Sequence, residues 1–219
     1  MKDDEIWSRV DEYYGRRLVG DDDALSEALR ANASAGLPPI DVTPALGKFL
    51  HLLARSVGAR RILEVGTLGG YSTIWLARAL PADGEVVTCE VSPRHAEVAR
   101  ANLDRAGVGE RVRIVLGPAL ETLPGVEGPF DMVFVDADKV SNAEYLDHAI
   151  RLSRPGALVI VDNVVRGGRA VDEADDDPAV VGTRRLADAL AADPRISATM
   201  VQTVASKGYD GFVLGVVEG

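Results

Sequence analysis

The sequence predicts a doubly wound α/β domain, in which helices cover both faces of a mainly parallel sheet. From Arg61 onwards, short and continuously apolar segments alternate with helical ones, a pattern typical of parallel strands that are buried on both faces. A turn or an acidic residue follows each apolar segment, as expected where a strand ends. The predicted strands are residues 62–65, 86–89, 112–116, 132–135 and 158–161, with two further candidates at 196–202 and 211–217.

Helical spacing of apolar residues predicts the connecting helices at residues 72–80, 93–106 and 142–152, with a last long helix after Pro178. The first sixty residues show helical patterns instead. Among them, Thr43 and Pro44 have the residue types of an N-cap and a first helical position. We therefore expect one domain over residues 1–219, with a helical extension (1–58) that helps to cover the ligand site and an α/β core (59–219).

Charge and composition limit the possible partners. The chain has 24 Lys and Arg against 34 Asp and Glu, a formal net charge of −10. Such a surface repels phosphates, so nucleic acids and anionic membranes are disfavoured. No apolar run is long enough to span a bilayer and the acidic start does not resemble a signal peptide, so a cytoplasmic protein is expected. The single cysteine, Cys89, lies in a strand-like run, and the three histidines share no motif.

The first strand leads into a glycine loop. Ligands of such sheets bind outside the carboxyl ends of the strands, and here Glu64 is followed by Gly66, Gly69 and Gly70 in a G-x-x-G-G spacing. This spacing differs from those of dinucleotide folds and P-loops. Glu64 would repel a pyrophosphate but suits a cationic ligand end, such as the amino group or sulfonium of S-adenosylmethionine. A plain tight turn between strand and helix remains the alternative.

Glu90 ends the second strand. A carboxylate at this position can accept hydrogen bonds from both hydroxyls of a ribose. Together with the glycine loop, it predicts that the core binds a nucleoside cofactor. The adenine is then expected near the turn Gly117-Pro118-Ala119, after the third strand.

Oxygen-bearing side chains follow the fourth and fifth strands. Asp136 follows one, and Asp162 and Asn163 follow the next, so we expect them at the same edge of the sheet. Two carboxylates and an amide oxygen suit Mg²⁺, Mn²⁺ or Ca²⁺ rather than zinc. Helix N-capping by these residues is the alternative. Lys139 is close enough to be a general base, since a nearby cation favours the neutral amine; a surface salt bridge with Asp138 is its alternative.

These motifs resemble those of the cation-dependent O-methyltransferases, which include catechol and caffeoyl-coenzyme A O-methyltransferases, particularly their small bacterial members. The resemblance extends from about Val42 to the C-terminus. It rests on the runs at residues 62–72, 135–139 and 161–164, in this order. It implies a Rossmann-like class I methyltransferase fold with seven strands, of which the last is antiparallel, and commonly a homodimer.

The resemblance also implies a role for each matching residue. Glu64, Gly66, Thr67 and Ser72 would bind the methionine part of S-adenosylmethionine, with Val42 contributing from the extension, and Gly70 and Asp136 would also contact the cofactor. Glu90 would hold the ribose and Ala119 would border the adenine. Asp136, Asp162 and Asn163 would bind the metal, expected to be Mg²⁺, and Lys139 would act with Asp136 in catalysis as the base.

The implied activity is metal-dependent methyl transfer to a vicinal aromatic diol on a small phenolic or hydroxycinnamoyl-type acceptor. An RNA methyltransferase of the same fold, a nicotinamide-dependent oxidoreductase and a non-catalytic binding module are the alternatives. Two segments are candidate lids, the loop 166–169 and the segment 205–209 with Tyr209. Ala137 and Asp138 stand where the animal catechol enzymes have aromatic residues, so the resemblance does not imply an identical substrate preference.

Overall fold

One seven-stranded sheet forms the centre of the computed structural model, which describes residues 3–219, and its strand order is β3-β2-β1-β4-β5-β7-β6. The strands are β1 (Arg61–Val65), β2 (Glu85–Glu90), β3 (Val112–Leu116), β4 (Phe130–Val135), β5 (Ser153–Asp162), β6 (Ile196–Ala205) and β7 (Gly208–Val217). The first five strands are mutually parallel where they pair, whereas β7 runs antiparallel to both of its neighbours. The predicted fold class, strand number and antiparallel last strand are confirmed.

Eight helices lie along the described chain. They are α1 (Asp3–Tyr14), α2 (Asp23–Ser34), α3 (Pro44–Ser56), α4 (Tyr71–Ala79), α5 (Pro93–Arg105), α6 (Ala119–Thr122), α7 (Asn142–Arg151) and α8 (Pro178–Ala192). The predicted cap of α3 is confirmed, because the Thr43 hydroxyl accepts a hydrogen bond from the Leu46 amide at 3.2 Å and Pro44 is the first helical residue.

The strands predicted at residues 158–161, 196–202 and 211–217 are longer in the structure, and the last of them, β7, begins three residues earlier at Gly208. β5 begins at Ser153, where it pairs with Phe130 of β4, although Pro155 and Gly156 interrupt its apolar pattern. β6 continues to Ala205 because its far end pairs with β7 in a hairpin. The outward face of β6 is exposed, so pairing rather than burial extends this strand.

The two faces of the sheet are packed separately, as the doubly wound prediction requires. Along β4, Val133 and Val135 belong to the core that contains Leu146 of α7 and Leu186 of α8. The alternate residue Phe134 belongs to the opposite core, which lies under α3 and α4. The strand ends are therefore held between two buried layers, and the loops that follow them start from fixed positions.

Membrane insertion through a helix has no support in the described residues, 3–219. None of their helices combines the length and the apolar character needed to cross a bilayer.

Close packing between α8 and the loop after β4 generates a first prediction. A Cβ atom added at Gly182 would lie 2.1 Å from the Lys139 carbonyl oxygen and 2.7 Å from the Val140 Cα. We expect Gly182→Ala to lower the free energy of unfolding by about 1–3 kcal/mol, because backbone must move to admit the methyl group. This should hold although alanine favours a helix over glycine by about 1 kcal/mol.

Urea unfolding followed by circular dichroism measures this change. Gly125→Ala is the matched control, since the described residues leave open space around Gly125. A Gly182→Ala protein as stable as the wild type would show that the contact between α8 and this loop is not tight.

Candidate active site

A cavity of about 790 Å³ opens at the carboxyl ends of the parallel strands. Its walls come from the loops after β1, β2, β3, β4 and β5, together with the segment before α3. This is the position that the sheet topology predicts for a ligand. Its volume lies in the usual range for small-molecule sites, roughly 300–1,000 Å³.

The glycine loop brings the ends of β1 and β4 together. Gly66 has a φ of +102°, and a Cβ atom there would lie only 2.2 Å from the carbonyl oxygen of Asp136. The Asp136 amide in turn donates to the Val65 carbonyl at 2.9 Å. Only glycine permits this approach. As a result, the first loop and the carboxylate after β4 line the same cavity.

Glu64 lies behind the cavity wall, fully buried. Its two oxygens accept hydrogen bonds from the hydroxyls of Ser72 at 2.6 Å, Thr73 at 2.5 Å and Thr88 at 2.7 Å. Burial raises the pKa of Glu64 to about 7, although the three hydroxyl donors oppose this shift. Ser72 lines the cavity, so Glu64 orients a cavity residue from below.

Glu90 lines the cavity with its carboxylate fixed by backbone donors. One oxygen accepts from the Leu68 amide at 2.8 Å and the other from the Ser92 amide at 2.9 Å. His95 Nδ1 lies 3.3 Å from the second oxygen, and its side chain also lines the cavity. Sequence reasoning gave His95 no role. Its position in the first turn of α5, directly after the strand that ends in Glu90, was the available signal.

The N-terminal extension closes one side of the cavity through Ile40, Asp41 and Val42. A buried amide chain holds this segment: Asn32 donates to an Asp41 carboxylate oxygen at 2.8 Å, and Asn102 donates to Asn32 at 3.0 Å and to the Gly69 carbonyl at 2.8 Å. Burial raises the pKa of Asp41, against the hydrogen bond from Asn32. Sequence reasoning missed this chain of contacts, which joins α2, α5 and the glycine loop.

Asp136 and Lys139, which also line the cavity, form an ion pair. The Lys139 Nζ lies 2.7 Å from an Asp136 carboxylate oxygen, and the lysine side chain is only 9% exposed. The alternative pairing of Lys139 with Asp138 is wrong, because Asp138 instead accepts hydrogen bonds from the Tyr145 hydroxyl and the Ser141 amide. The ammonium group of Lys139 is thus directed into the cavity region, beside the predicted metal ligands.

Asp162 and Asn163 follow β5 directly beside Asp136. Val135 pairs with Val161 in the parallel register, so the residues after them are neighbours at the sheet edge. Asp162 is 7% exposed. Burial raises its pKa to about 7, and the negative charge of Asp136 adds to this effect. Asn163 has a φ of +57° and lines the cavity.

Most of the predicted site residues line this one cavity. Those that do are Val42, Gly66, Thr67, Ser72, Glu90, Ala119, Asp136, Lys139 and Asn163. Of the described residues predicted for the site, Glu64, Gly70 and Asp162 do not line it, and their contacts with a ligand remain predictions. Within residues 3–219, no group of three His, Cys, Asp or Glu side chains is arranged to hold a metal; the candidate set is two carboxylates and an amide.

The candidate lids differ in their relation to the cavity. Arg166, from the loop after β5, lines it. Tyr209 lies outside the cavity lining in the described structure, and its hydroxyl donates to Gln202. A stacking contact of Tyr209 with a ring in this cavity is therefore not supported by its position.

The fold and the cavity together define an α/β protein with a ligand-sized site at the carboxyl ends of its parallel strands. The family model described as O-methyltransferase matches residues 17–214. The chain belongs to this O-methyltransferase family.

Individual relatives agree with the family match. The chain is 55% identical to a catechol O-methyltransferase of Mycobacterium tuberculosis over 209 residues, covering 95% of this chain and 94% of that protein. It is 49% identical to a catechol O-methyltransferase of Niastella koreensis, covering 98% and 99%. The crystal structure of the O-methyltransferase TomG from Streptomyces achromogenes, involved in tomaymycin synthesis and solved in complex with SAM, is 50% identical with a TM-score of 0.97 and full coverage of both chains.

The raised pKa of Glu64 generates a prediction about stability. Glu64 has a pKa of about 7 in the folded protein, against 4.5 for an ordinary glutamate as in the unfolded chain. Because the folded state binds the proton more tightly, the resulting stability is fully present below pH 4.5 and is lost as the pH rises through 7. We expect Glu64→Gln to remove this dependence. Its free energy of unfolding should fall less than that of the wild type between pH 5.5 and 8.5, by on the order of 2 kcal/mol.

Urea unfolding of the ligand-free protein across this pH range tests the prediction. Glu110→Gln changes an exposed glutamate and should leave the wild-type pH dependence in place. Parallel curves for the wild type and Glu64→Gln would mean that Glu64 does not take up a proton in this range.

Proposed function

We propose that this protein transfers the methyl group of S-adenosylmethionine to one hydroxyl of a vicinal aromatic diol, with the help of a bound divalent cation. One observation carries the proposal: the glycine loop, the Asp136–Lys139 pair and Asn163 line a single cavity. The naming of close relatives as catechol O-methyltransferases supports the choice of acceptor. Family membership disfavours the nicotinamide-dependent oxidoreductase, and no specific observation favours RNA.

The cofactor is proposed to lie along the glycine loop, with its ribose at Glu90 and its adenine near Ala119. Support comes from the SAM and SAH bound to similar solved structures. Ser72 and Thr67 line the cavity at the proposed methionine end. Glu64 holds Ser72 in place through its 2.6 Å hydrogen bond, whereas the buried Thr67 hydroxyl is bonded to the Thr88 hydroxyl and the Cys89 carbonyl. Glu64 therefore acts in this proposal as a positioning residue.

A divalent cation fits the donor set formed by Asp136, Asp162 and Asn163. Their oxygens are the hard ligands that Mg²⁺, Mn²⁺ and Ca²⁺ prefer. The raised pKa of Asp162, caused by burial and by the charge of Asp136, indicates uncompensated negative charge that a cation would offset. Mg²⁺ is the cation we propose. When bound, it would polarise both acceptor oxygens and favour the phenolate form.

Lys139 is proposed to accept the phenol proton, a role in which its side chain acts as the neutral amine and becomes the ammonium ion. Its Nζ lies at the cavity end of the ion pair with Asp136, and its burial excludes competing contacts with bulk water. Asp136 thus has two proposed partners, the Lys139 Nζ atom and the cation. The surrounding walls align the phenolate with the sulfonium methyl, and this proximity supplies a large part of the rate acceleration.

The extension at residues 1–58 is proposed to cover the site above the α/β core at 59–219. Ile40, Asp41 and Val42 contribute to the cavity lining, and the Asn32–Asp41 hydrogen bond holds them there. A small acceptor would be enclosed by this cover. A cytoplasmic location is also proposed, in keeping with the one free, buried thiol of Cys89.

Methyl transfer to catechol tests the proposed function. With labelled S-adenosylmethionine and Mg²⁺, we expect transfer that EDTA abolishes and added Mg²⁺ restores. Asp162→Ala should reduce transfer strongly by weakening the cation site, and Lys139→Met should reduce it by about 10²–10⁴-fold as expected for loss of a general base. Gly125→Ala is the control for an unrelated substitution. Cofactor binding without transfer to any diol, under any cation, would contradict the proposal.

A homodimer is proposed from exposed apolar side chains on α1 and β6. Val10, Tyr13 and Tyr14 are 48%, 49% and 55% exposed, and Met200 and Val204 are 47% and 50% exposed. The two elements are neighbours, since the Ser206 amide after β6 donates to Asp11 of α1 at 2.8 Å. Several exposed apolar side chains on two neighbouring elements are typical of an interface between subunits.

Light scattering after gel filtration tests the dimer. We expect the wild type to have twice the mass of one chain, and Val10→Glu to shift it towards the monomer because a charge would be buried in the interface. Val171→Glu is the matched control, since Val171 is 88% exposed but lies in the loop after β5. A wild type of monomer mass would rule the interface out.

A further inference from the structure

Arg166 lies in the cavity wall, three residues after the proposed metal ligand Asn163. Its side chain is half-buried, and its Nε atom is fully buried without a hydrogen-bond partner in residues 3–219. A buried guanidinium nitrogen left without a hydrogen-bond partner is unfavourable. The folded protein therefore carries a donor at this site that has no internal use.

The charges around the cavity distinguish Arg166 from the other cation in its lining. Lys139 is paired with Asp136 at 2.7 Å. By contrast, the part of the chain that the structure describes contains no ion pair and no side-chain hydrogen bond of Arg166. The nearby arginine Arg169 is instead satisfied by Asp175 and Asp177 in the loop outside the cavity. Because Nε is closed off, a ligand in the cavity would meet the two terminal nitrogens of Arg166, which make no hydrogen bond to the described residues.

The backbone at Arg166 is held in an unusual conformation. Its φ is +56°, in the left-handed region that non-glycine residues rarely adopt. One carboxylate oxygen of Asp210 fixes it by accepting from the amides of Val165 at 2.9 Å, Arg166 at 3.0 Å and Gly211 at 2.9 Å. A glycine at position 166 would adopt this conformation without strain, yet the chain has an arginine there and glycines only at 167 and 168. The strained conformation is the kind that persists where a side chain must be directed to a site.

From these observations we infer that Arg166 is a specificity-determining residue, which binds a carboxylate on the acceptor. The inference rests on the proposed function and names its substrate class: aromatic diols that carry a carboxylate substituent. A guanidinium group matches a carboxylate with two parallel hydrogen bonds, and such charge-assisted pairs are the stronger ones. The diol end would be held at Asp136, Asp162 and Asn163, and the carboxylate end at Arg166.

The cavity lining also contains acidic residues, so an anion would be favoured only close to Arg166 and not throughout the cavity. Asp41, Glu90 and Glu121 also line it, but Asp41 and Glu90 lie in the extension and at the proposed ribose site. Without Arg166, an anionic acceptor would meet a largely negative wall. Arg166 would pair with the negative charge of such an acceptor at one position. Removing Arg166 should therefore affect acceptors with a carboxylate more than acceptors without one.

Three acceptors with the same diol separate this effect from general catalysis: 3,4-dihydroxybenzoate, catechol and dopamine. Arg166→Met retains the apolar stem and removes the charge. We expect it to lower kcat/KM for 3,4-dihydroxybenzoate by about tenfold to a hundredfold, as for a lost hydrogen-bonded charge pair. The value for catechol should change less than about twofold, and dopamine should improve, because a nearby positive charge is removed. Arg166→Lys should fall between the wild type and Arg166→Met for the carboxylate.

Arg113→Met is the matched control, since it removes one exposed arginine from β3 far along the strand from the cavity. It should leave all three acceptors unchanged. An equal loss for all acceptors in Arg166→Met, or a raised KM for S-adenosylmethionine, would overturn the inference and assign Arg166 to the cofactor or to loop structure.

Equilibrium binding keeps this test independent of methyl transfer. Calorimetric titration of 3,4-dihydroxybenzoate and catechol into the protein with S-adenosylhomocysteine and Mg²⁺ measures the preference directly. A preference for the carboxylate that Arg166→Met removes supports the inference even if no methyl group is transferred, in which case only the proposed function fails. Equal binding of both compounds by the wild type would overturn the inference even if both are methylated.

Discussion

The close approach of β1 and β4 at their carboxyl ends determines the arrangement of the whole site. Gly66 lies so near the Asp136 carbonyl that a Cβ atom would be 2.2 Å away, and the Val65–Asp136 backbone hydrogen bond continues the pairing beyond the strands. Because of this approach, the glycine loop and Asp136 belong to one cavity wall. The proposed cofactor and an acceptor held by the proposed cation can then come as close as methyl transfer requires.

This arrangement requires two carboxyl groups to be buried, which is unfavourable for their charged forms. Glu64 and Asp162 are both buried, and burial raises the pKa of each to about 7. The two cores on either side of the sheet keep the groups in place, since the alternate residues of β1 and β4 are fully buried against α4 and α7. Three hydroxyls compensate Glu64 internally. Among the described residues Asp162 accepts one hydrogen bond, from the Asn163 amide, and the charge of Lys139 lowers its pKa without offsetting burial. The proposed cation would supply the missing positive charge.

Local patterns predicted the parts of the structure that depend on neighbouring residues in the sequence. The apolar runs located the strands, and the order of strands placed Asp136 beside Asp162, because adjacent parallel strands end at one edge. Period-two alternation in β1 also explains why Glu64 faces α4 together with Ile62 instead of lining the cavity. By contrast, the Asn32–Asn102–Gly69 contacts join residues that are distant in sequence. No local pattern predicts them, because each amide is equally compatible with an exposed helix face.

Specificity and chemistry have different structural origins in this cavity. The groups proposed for chemistry follow directly from strands β4 and β5, which are held by both cores. Arg166 lies further along, in a loop whose conformation depends on Asp210, the carboxylate that follows Tyr209 in β7. A change in this loop can therefore alter the recognised acceptor without moving Asp136 or Asp162. The sequence motifs lie at the strand ends, and they therefore indicate the reaction class. They leave the acceptor open, because Arg166, which we infer to bind it, is positioned by a contact between β7 and the loop after β5.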